Sequence, residues 1–363
     1  MVMADRPEVE TAPGAIAAVD AVMLGGQIAA ALVRVPFRDP LRGPGNAAAN
    51  LGASLTRETV RTFMGYASSL PVDEFRSIEQ MLDRLCGVVM PPVVASFGVE
   101  ARPLTLGGVP GILYMPRGTG VTGVIVYLHG GGYIGTSPRM YAFFTAQVCR
   151  ETRCAVFVAD YRLAPEFPFP AGVEDAVAVM DALAELGVPI ERTLVAGDSG
   201  GGGLANSLVL ELRERDVTPA ALALFSPEID LELDERSVTA NASYDILPWN
   251  IPTAAYLHGV DPHEGLVSAV DADLAGFPPT FVCWGGNEMF RDPIRRYVAR
   301  LDAAGVPHTG HEEPGMFHVF PIVMPWATSS RRVHRALGAF IAEHLAAAPP
   351  FDFTDLATRA HAD

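Results

Sequence analysis

Two glycine-rich clusters carry the residues that could do chemistry: Gly197-Asp198-Ser199-Gly200-Gly201, and upstream of it His129-Gly130-Gly131-Gly132-Tyr133. A serine hydroxyl attacks a carbonyl once a base takes its proton, and backbone N–H groups can hold the charge that then develops on the carbonyl oxygen. The clusters supply these two needs separately. Glycines two before and two after Ser199 allow a sharp strand-to-helix turn with the hydroxyl exposed at its tip. Three successive glycines on the other loop leave amides open to a substrate. A base and an acid follow the serine in the order Ser, acid, His. His318, in Pro314-Gly315-Met316-Phe317-His318, is the expected base, because imidazole, with an ordinary pKa of about 6.5, can accept and return a proton near neutrality. Glu288 or Asp292, both in the stretch after Trp284, can supply the orienting carboxylate.

Such residues must be held at the ends of rigid elements. The apolar run Val124-Ile125-Val126-Tyr127-Leu128 ends at His129, and Thr193-Leu194-Val195-Ala196 ends at the serine motif, so both clusters sit where a buried strand stops. Leu204, Ala205, Leu208, Val209 and Leu212 recur at helical spacing, so the turn opens a helix whose N-terminus favours negative charge. Pro279 to Trp284 reads as another buried strand, and Val306 to Glu312 as the last one.

Other readings of the same residues fail on context. Gly-Asp-Ser-Gly-Gly also surrounds the nucleophile of chymotrypsin-like proteases, but those run His, Asp, Ser within β-barrels, whereas an alanine- and leucine-rich helix leaves Ser199. Gly130, Gly132 and Gly135 spell a nucleotide-loop pattern, yet Thr136-Ser137-Pro138 follows instead of a helix, and the chain has no Gly-Lys-Ser/Thr phosphate loop. His308, His311 and Glu312 could suggest a metal, but strand neighbours three apart point to opposite faces. His129 suits a loop-shaping hydrogen bond better than proton transfer.

Taken in order, His129 to Tyr133, Asp160-Tyr161-Arg162-Leu163-Ala164-Pro165-Glu166 with Pro168 and Pro170, the serine motif, and Pro314 to His318 resemble the hormonesensitive-lipase-like carboxylesterases of the α/β-hydrolases over roughly residues 80–345. The resemblance implies an α/β-hydrolase fold with a helical cap. It implies Ser199 as nucleophile, His318 as base, and an oxyanion hole of the amides of Gly131, Gly132 and Gly200. The family's usual acid position aligns with Glu288, and Asp292 would take over if the loop were shifted by a turn. Implied substrates are short- to medium-chain esters, hydrolysed through an acyl-enzyme without metal or organic cofactor. The same machinery could serve an amidase, a deacetylase or an acyltransferase. Relatives that lost the histidine are small-molecule receptors, and His318 speaks against that reading here. Homodimers occur in the family.

The 363 residues, 49% hydrophobic, suffice for a large core. The expected organisation is an N-terminal helical cap segment over 1–95, a catalytic domain over 96–345 with a second cap insertion at about 231–276, and a C-terminal tail over 346–363. Its sheet is expected to be mostly parallel, with helices on both faces. Within the cap, apolar stretches run from Gly14 to Val33 and through Phe75, Ile78, Met81, Leu82 and Leu85, and Tyr244 to Asn250 offers aromatic surface. Asp20 and Gln27 argue against a membrane span, and weak lipid adsorption of the first stretch stays open. The net charge of −16 argues against nucleic acid as a partner. Four cysteines without C-x-x-C spacing fit a reducing cytoplasm.

Overall fold

The structure, a computed structural model, describes residues 9–37, 45–118, 120–248, 251, 253–348 and 351–352. Its strands are β1 (Val99–Leu106), β2 (Val109–Pro116), β3 (Val124–Leu128), β4 (Ala155–Ala159), β5 (Thr193–Asp198), β6 (Ala221–Phe225), β7 (Thr280–Gly285) and β8 (His308–Glu313). They form one sheet in the order β1-β2-β4-β3-β5-β6-β7-β8. The β1–β2 and β2–β4 pairs are antiparallel and the rest parallel.

Strands β3 to β7 are buried along their whole length, which accounts for their continuous apolar runs. Alternate side chains feed two cores: Val124, Val126 and Leu128 face one, Ile125 and Tyr127 the other. The first core is closed by α5 (Ala171–Glu185), α6 (Ser199–Arg213) and α9 (Arg291–Ala303), the second by α4 (Ala142–Thr152) and α11 (Thr328–Leu345). Each fully buried Val, Leu or Phe contributes roughly 1.5–3 kcal/mol, so two-sided burial dominates the sheet's stability. Strand β8 is the exception. Its polar sequence His-Thr-Gly-His-Glu-Glu is largely solvated, as suits an edge.

The parallel register aligns the strand exits. Leu128 pairs with Gly197, Asp198 with Phe225, and Gly285 with Glu313. The loops after β3, β5, β6, β7 and β8 therefore emerge along one edge, and every residue singled out for chemistry lies on one of them or just beyond.

Three helices precede the sheet: α1 (Gly14–Arg34), α2 (Ala47–Ala67) and α3 (Val72–Ser96). Two short helices, α7 (Arg236–Ala240) and α8 (Thr253–Leu257), lie between β6 and β7, and α10 (Phe320–Val323) follows the His318 loop. Helix α2 reaches the β6–β7 segment through Arg61, which donates to the carbonyls of Ala242 and Asp245 at 2.5 and 2.6 Å. Trp249 and Asn250, part of the expected aromatic surface, lie outside the described residues, and so does most of the 346–363 tail.

Helix α1 is long and apolar enough to cross a membrane by length and composition, and little of it is buried. Asp20, counted above against a span, faces inward and accepts a hydrogen bond from Tyr66 Oη at 3.0 Å. Val19, Val22, Met23 and Val33 are left on the outside.

The serine turn is packed to backbone contact at Gly201. A Cβ there would lie 2.2 Å from the carbonyl oxygen of Leu128 and 2.3 Å from that of His129, both backbone atoms at the end of β3. Gly201→Ala is expected to cost more than about 2 kcal/mol, read as a drop in the denaturant midpoint. An unchanged midpoint would contradict this account of the turn.

Candidate active site

Ser199 stands at the junction of β5 and α6 with φ at +50°, in the left-handed region that non-glycine residues avoid. The surroundings hold it there. A Cβ on Gly197 would meet the Gly201 carbonyl oxygen at 2.3 Å, so both flanking glycines are needed for the chain to fold back on itself. Asp198 is fully buried and accepts from Tyr127 Oη at 2.8 Å, Tyr141 Oη at 2.9 Å and the Gly130 amide at 2.9 Å. It thereby ties the serine turn to the glycine loop after β3. Burial pushes its carboxyl up to about 6, and the tyrosine and amide donors work against that rise.

The glycine loop meets the turn directly. Built on Gly200, a Cβ would sit 2.9 Å from the Tyr133 amide nitrogen and 3.2 Å from the Gly132 Cα. Among the described residues, the amides of Gly131, Gly132 and Gly200 donate to no protein acceptor. Free donors at a helix N-terminus beside a nucleophile can stabilise a developing oxyanion. His129 stays out of the proton chemistry. Burial lowers its pKa to about 4, its Nδ1 lies 2.9 Å from Thr136 Oγ1, and its ring stacks on Tyr161. Arg76 of α3 clamps the same loop from outside, donating to the carbonyls of Ile134 and Ala164 and pairing with Glu166 at 2.7 Å.

His318 reaches Ser199: Nε2 lies 2.8 Å from Oγ. On the other side of the ring, Nδ1 is 3.9 Å from Glu288 Oε1, and both atoms are buried without a hydrogen-bond partner. That spacing is an electrostatic contact and is too long for a hydrogen bond. The second Glu288 oxygen is fixed by Ser226 Oγ and the Gly285 amide, each at 2.7 Å. Asp292 is engaged elsewhere. It pairs with Arg291 at 2.8 Å at the start of α9 and is partly exposed. Of the two candidate acids, the structure brings Glu288 to the imidazole and turns Asp292 away. Burial alone would lower the His318 pKa, but Glu288 first, then Asp245 and Glu228, outweigh it and raise the group above 6.5.

Several residues here escaped the sequence reading. Asp245 Oδ1 accepts from the His318 amide at 2.9 Å and its Oδ2 from the Met289 amide at 2.6 Å, so one side chain fixes both the histidine and the Glu288 loops. Ser226 Oγ accepts from the Val319 amide at 3.0 Å while donating to Glu288, bridging the same two loops. Phe290 packs perpendicular to the imidazole, with ring centroids 5.0 Å apart. Asp245 lies 73 residues from His318, and no local pattern marks it. Ser226 had one usable signal, its position directly after the apolar run that forms β6.

Residues 125–322, more than half of the chain, match the α/β-hydrolase fold family. An acetyl-hydrolase of Streptomyces hygroscopicus is 37% identical over 225 residues, covering 60% of this chain and 74% of that protein. An esterase of Acinetobacter venetianus is 28% identical, covering 79% and 93%. Among solved structures, an esterase from the bacterial hormone-sensitive lipase family superposes with a TM-score of 0.71 at 31% identity, over 80% of this chain and 98% of that one.

Only a neutral imidazole can take the serine proton. With its pKa raised, His318 is protonated below that value, and kcat/KM for a Ser199-dependent substrate should fall on an acid limb centred above pH 6.5. Glu288→Gln removes the largest raising influence and should move that limb to lower pH. A limb that stayed in place would show that Glu288 does not set the base.

Proposed function

The chain belongs to the α/β-hydrolase fold family, in its bacterial hormone-sensitive-lipase-like branch, and we propose that it is a serine carboxylesterase acting on short- to medium-chain esters. The 2.8 Å contact between His318 Nε2 and Ser199 Oγ, on a turn flanked by amides that donate to no acceptor among the described residues, carries this reading. Ser199 Oγ attacks the ester carbonyl carbon while its proton passes to His318 Nε2. The carbonyl electrons move onto oxygen, where the amides of Gly131, Gly132 and Gly200 hold the charge. His318 Nε2 then returns the proton to the alkoxide as the ester C–O bond breaks, leaving an acyl-enzyme. A water deprotonated by the same nitrogen releases the acid and restores the serine. Glu288 keeps Nδ1 protonated and supports the imidazolium. Removing one oxyanion donor typically costs about 100- to 1,000-fold in rate, so these amides are as consequential as the side chains. In this reading α1 to α3 and residues 231–276 form the cap.

Hydrolysis of p-nitrophenyl esters from acetate upward in acyl length tests the assignment. Ser199→Ala is expected to lose at least about 1,000-fold in kcat and Glu288→Ala about 100-fold or more, while Asp292→Ala stays within a few-fold of the intact protein. Full activity in Ser199→Ala would sink the mechanism. A large loss in Asp292→Ala with little in Glu288→Ala would reassign the acid.

The chain's four free cysteines support a reducing cytoplasm as its location. A second element of the proposal is weak adsorption to uncharged lipid. Helix α1 turns its one acid inward and an apolar face outward, and the net charge of −16 disfavours anionic membranes. The intact protein should co-float with phosphatidylcholine vesicles, and Val19→Asp with Val22→Asp should abolish it. Absence of the intact protein from the vesicle fraction would overturn this point.

A further inference from the structure

Glu228 is a buried acid that the reaction above does not use. It lies three residues beyond β6, and its main chain is pinned at the centre of the site. The Glu228 amide donates to the Ser199 carbonyl at 2.8 Å, and its carbonyl accepts from Tyr133 Oη at 3.3 Å. The residue is 1% exposed, and neither carboxylate oxygen has a hydrogen-bond partner. Tyr256, on α8 of the β6–β7 segment, has the same deficit. Its hydroxyl is buried and unpaired, while its ring stacks on Tyr133 with centroids 3.7 Å apart and planes 9° from parallel. The Glu228 carboxyl lies within electrostatic reach of His318 and of the Tyr133 and Tyr256 hydroxyls. Three unpaired oxygens thus belong to residues joined through Tyr133, one of them bonded by its amide to the nucleophile's carbonyl, both on the segment between β6 and β7.

An isolated buried carboxylate costs several kcal/mol, and folding alone gives no return for it. A ligand that donates hydrogen bonds would give one. The other acids around His318 are Asp198, Asp245 and Glu288, and the imidazole is the one group of this set that can become positive. Such a field repels carboxylates and favours a cation, and aromatic rings next to an acid suit an ammonium in particular.

We propose that Glu228 and Tyr256 form a cation subsite, which binds the protonated amine of an ester substrate and makes amine-bearing esters the preferred class. The inference rests on the esterase reading. It leaves open which half of the ester bears the amine, and two substrate pairs separate the cases. With the amine on the alcohol side, 2-(dimethylamino)ethyl butyrate is compared with 3-methylbutyl butyrate, its neutral isostere. With the amine on the acyl side, ethyl 4-(dimethylamino)butanoate is compared with ethyl 5-methylhexanoate.

At pH 8, above the value of about 7 to which burial pushes Glu228, the intact protein should favour the amine in one pair by about ten- to a hundredfold in kcat/KM, the range expected of a charge-assisted buried contact. In Glu228→Gln, which keeps the shape of the side chain, that ratio should collapse towards one. Tyr256→Phe should reduce it in the same pair. Calorimetric binding of the same four esters to Ser199→Ala protein gives a readout that does not depend on turnover, and it should show the same preference and the same loss in Glu228→Gln. Equal binding and equal kcat/KM within both pairs would overturn the subsite while Ser199-dependent hydrolysis of the neutral esters left the esterase reading standing. Amine-selective, Glu228-dependent binding without any turnover would keep the subsite and overturn the esterase reading instead.

Discussion

Asp198 is the contact on which the site's geometry rests. Its carboxylate takes three hydrogen bonds, from two tyrosines and the Gly130 amide, and so joins the end of β5 to the loop after β3. Each bond to a charged acceptor is worth about 1.5–3 kcal/mol, which offsets a burial cost of several kcal/mol. That link helps to fix the distance between the glycine loop and Ser199, and oxyanion donors are useful only when they are held in advance. The glycines of the turn serve the same constraint, because they let the two strand ends close to backbone contact.

The second half of the site is organised by acids that do different work in similar surroundings. Asp245 uses its oxygens on backbone amides and holds the loops of His318 and Glu288 in register. Glu288 commits one oxygen to Ser226 and Gly285 and leaves the other facing the imidazole. Glu228 commits neither. Burial raises the carboxyls of Asp198, Glu228 and Asp245, while the combined negative field raises the proton affinity of His318 despite its own burial. The loop anchor Asp245, the partner of the imidazole Glu288 and the free acceptor Glu228 are thus distinguished by how many of their oxygens are already occupied, not by residue type.

The helical segments add a different kind of constraint. Arg61 on α2 grips the stretch that carries Asp245, and Arg76 on α3 grips the glycine loop at Ile134. Movements of these helices would therefore be felt at both His318 and the glycine loop. Among the described residues, helix α1 makes no such hydrogen bond to the site. Its inward acid and outward apolar face reverse the usual order for a surface helix.

The strands, the tight turn and the order of the candidate residues are legible in the amino-acid sequence. Continuous apolar runs at Val124–Leu128 and Thr193–Ala196 require two-sided burial, the glycine spacing around Ser199 requires a tight turn, and the order Ser, acid, His follows from position alone. These are local properties, set by side-chain volume, periodicity and backbone freedom over a few residues. The surroundings of Glu288 and Asp292 are not local in this sense. Both lie on one short loop, and only the direction in which that loop leaves β7 decides that one faces His318 and the other Arg291. Asp245, Ser226, Arg61, Arg76 and the unpaired Glu228 belong entirely to the tertiary structure. Their partners lie far away along the chain, and whether a polar oxygen ends up satisfied or orphaned depends on which segments the packed sheet brings against it.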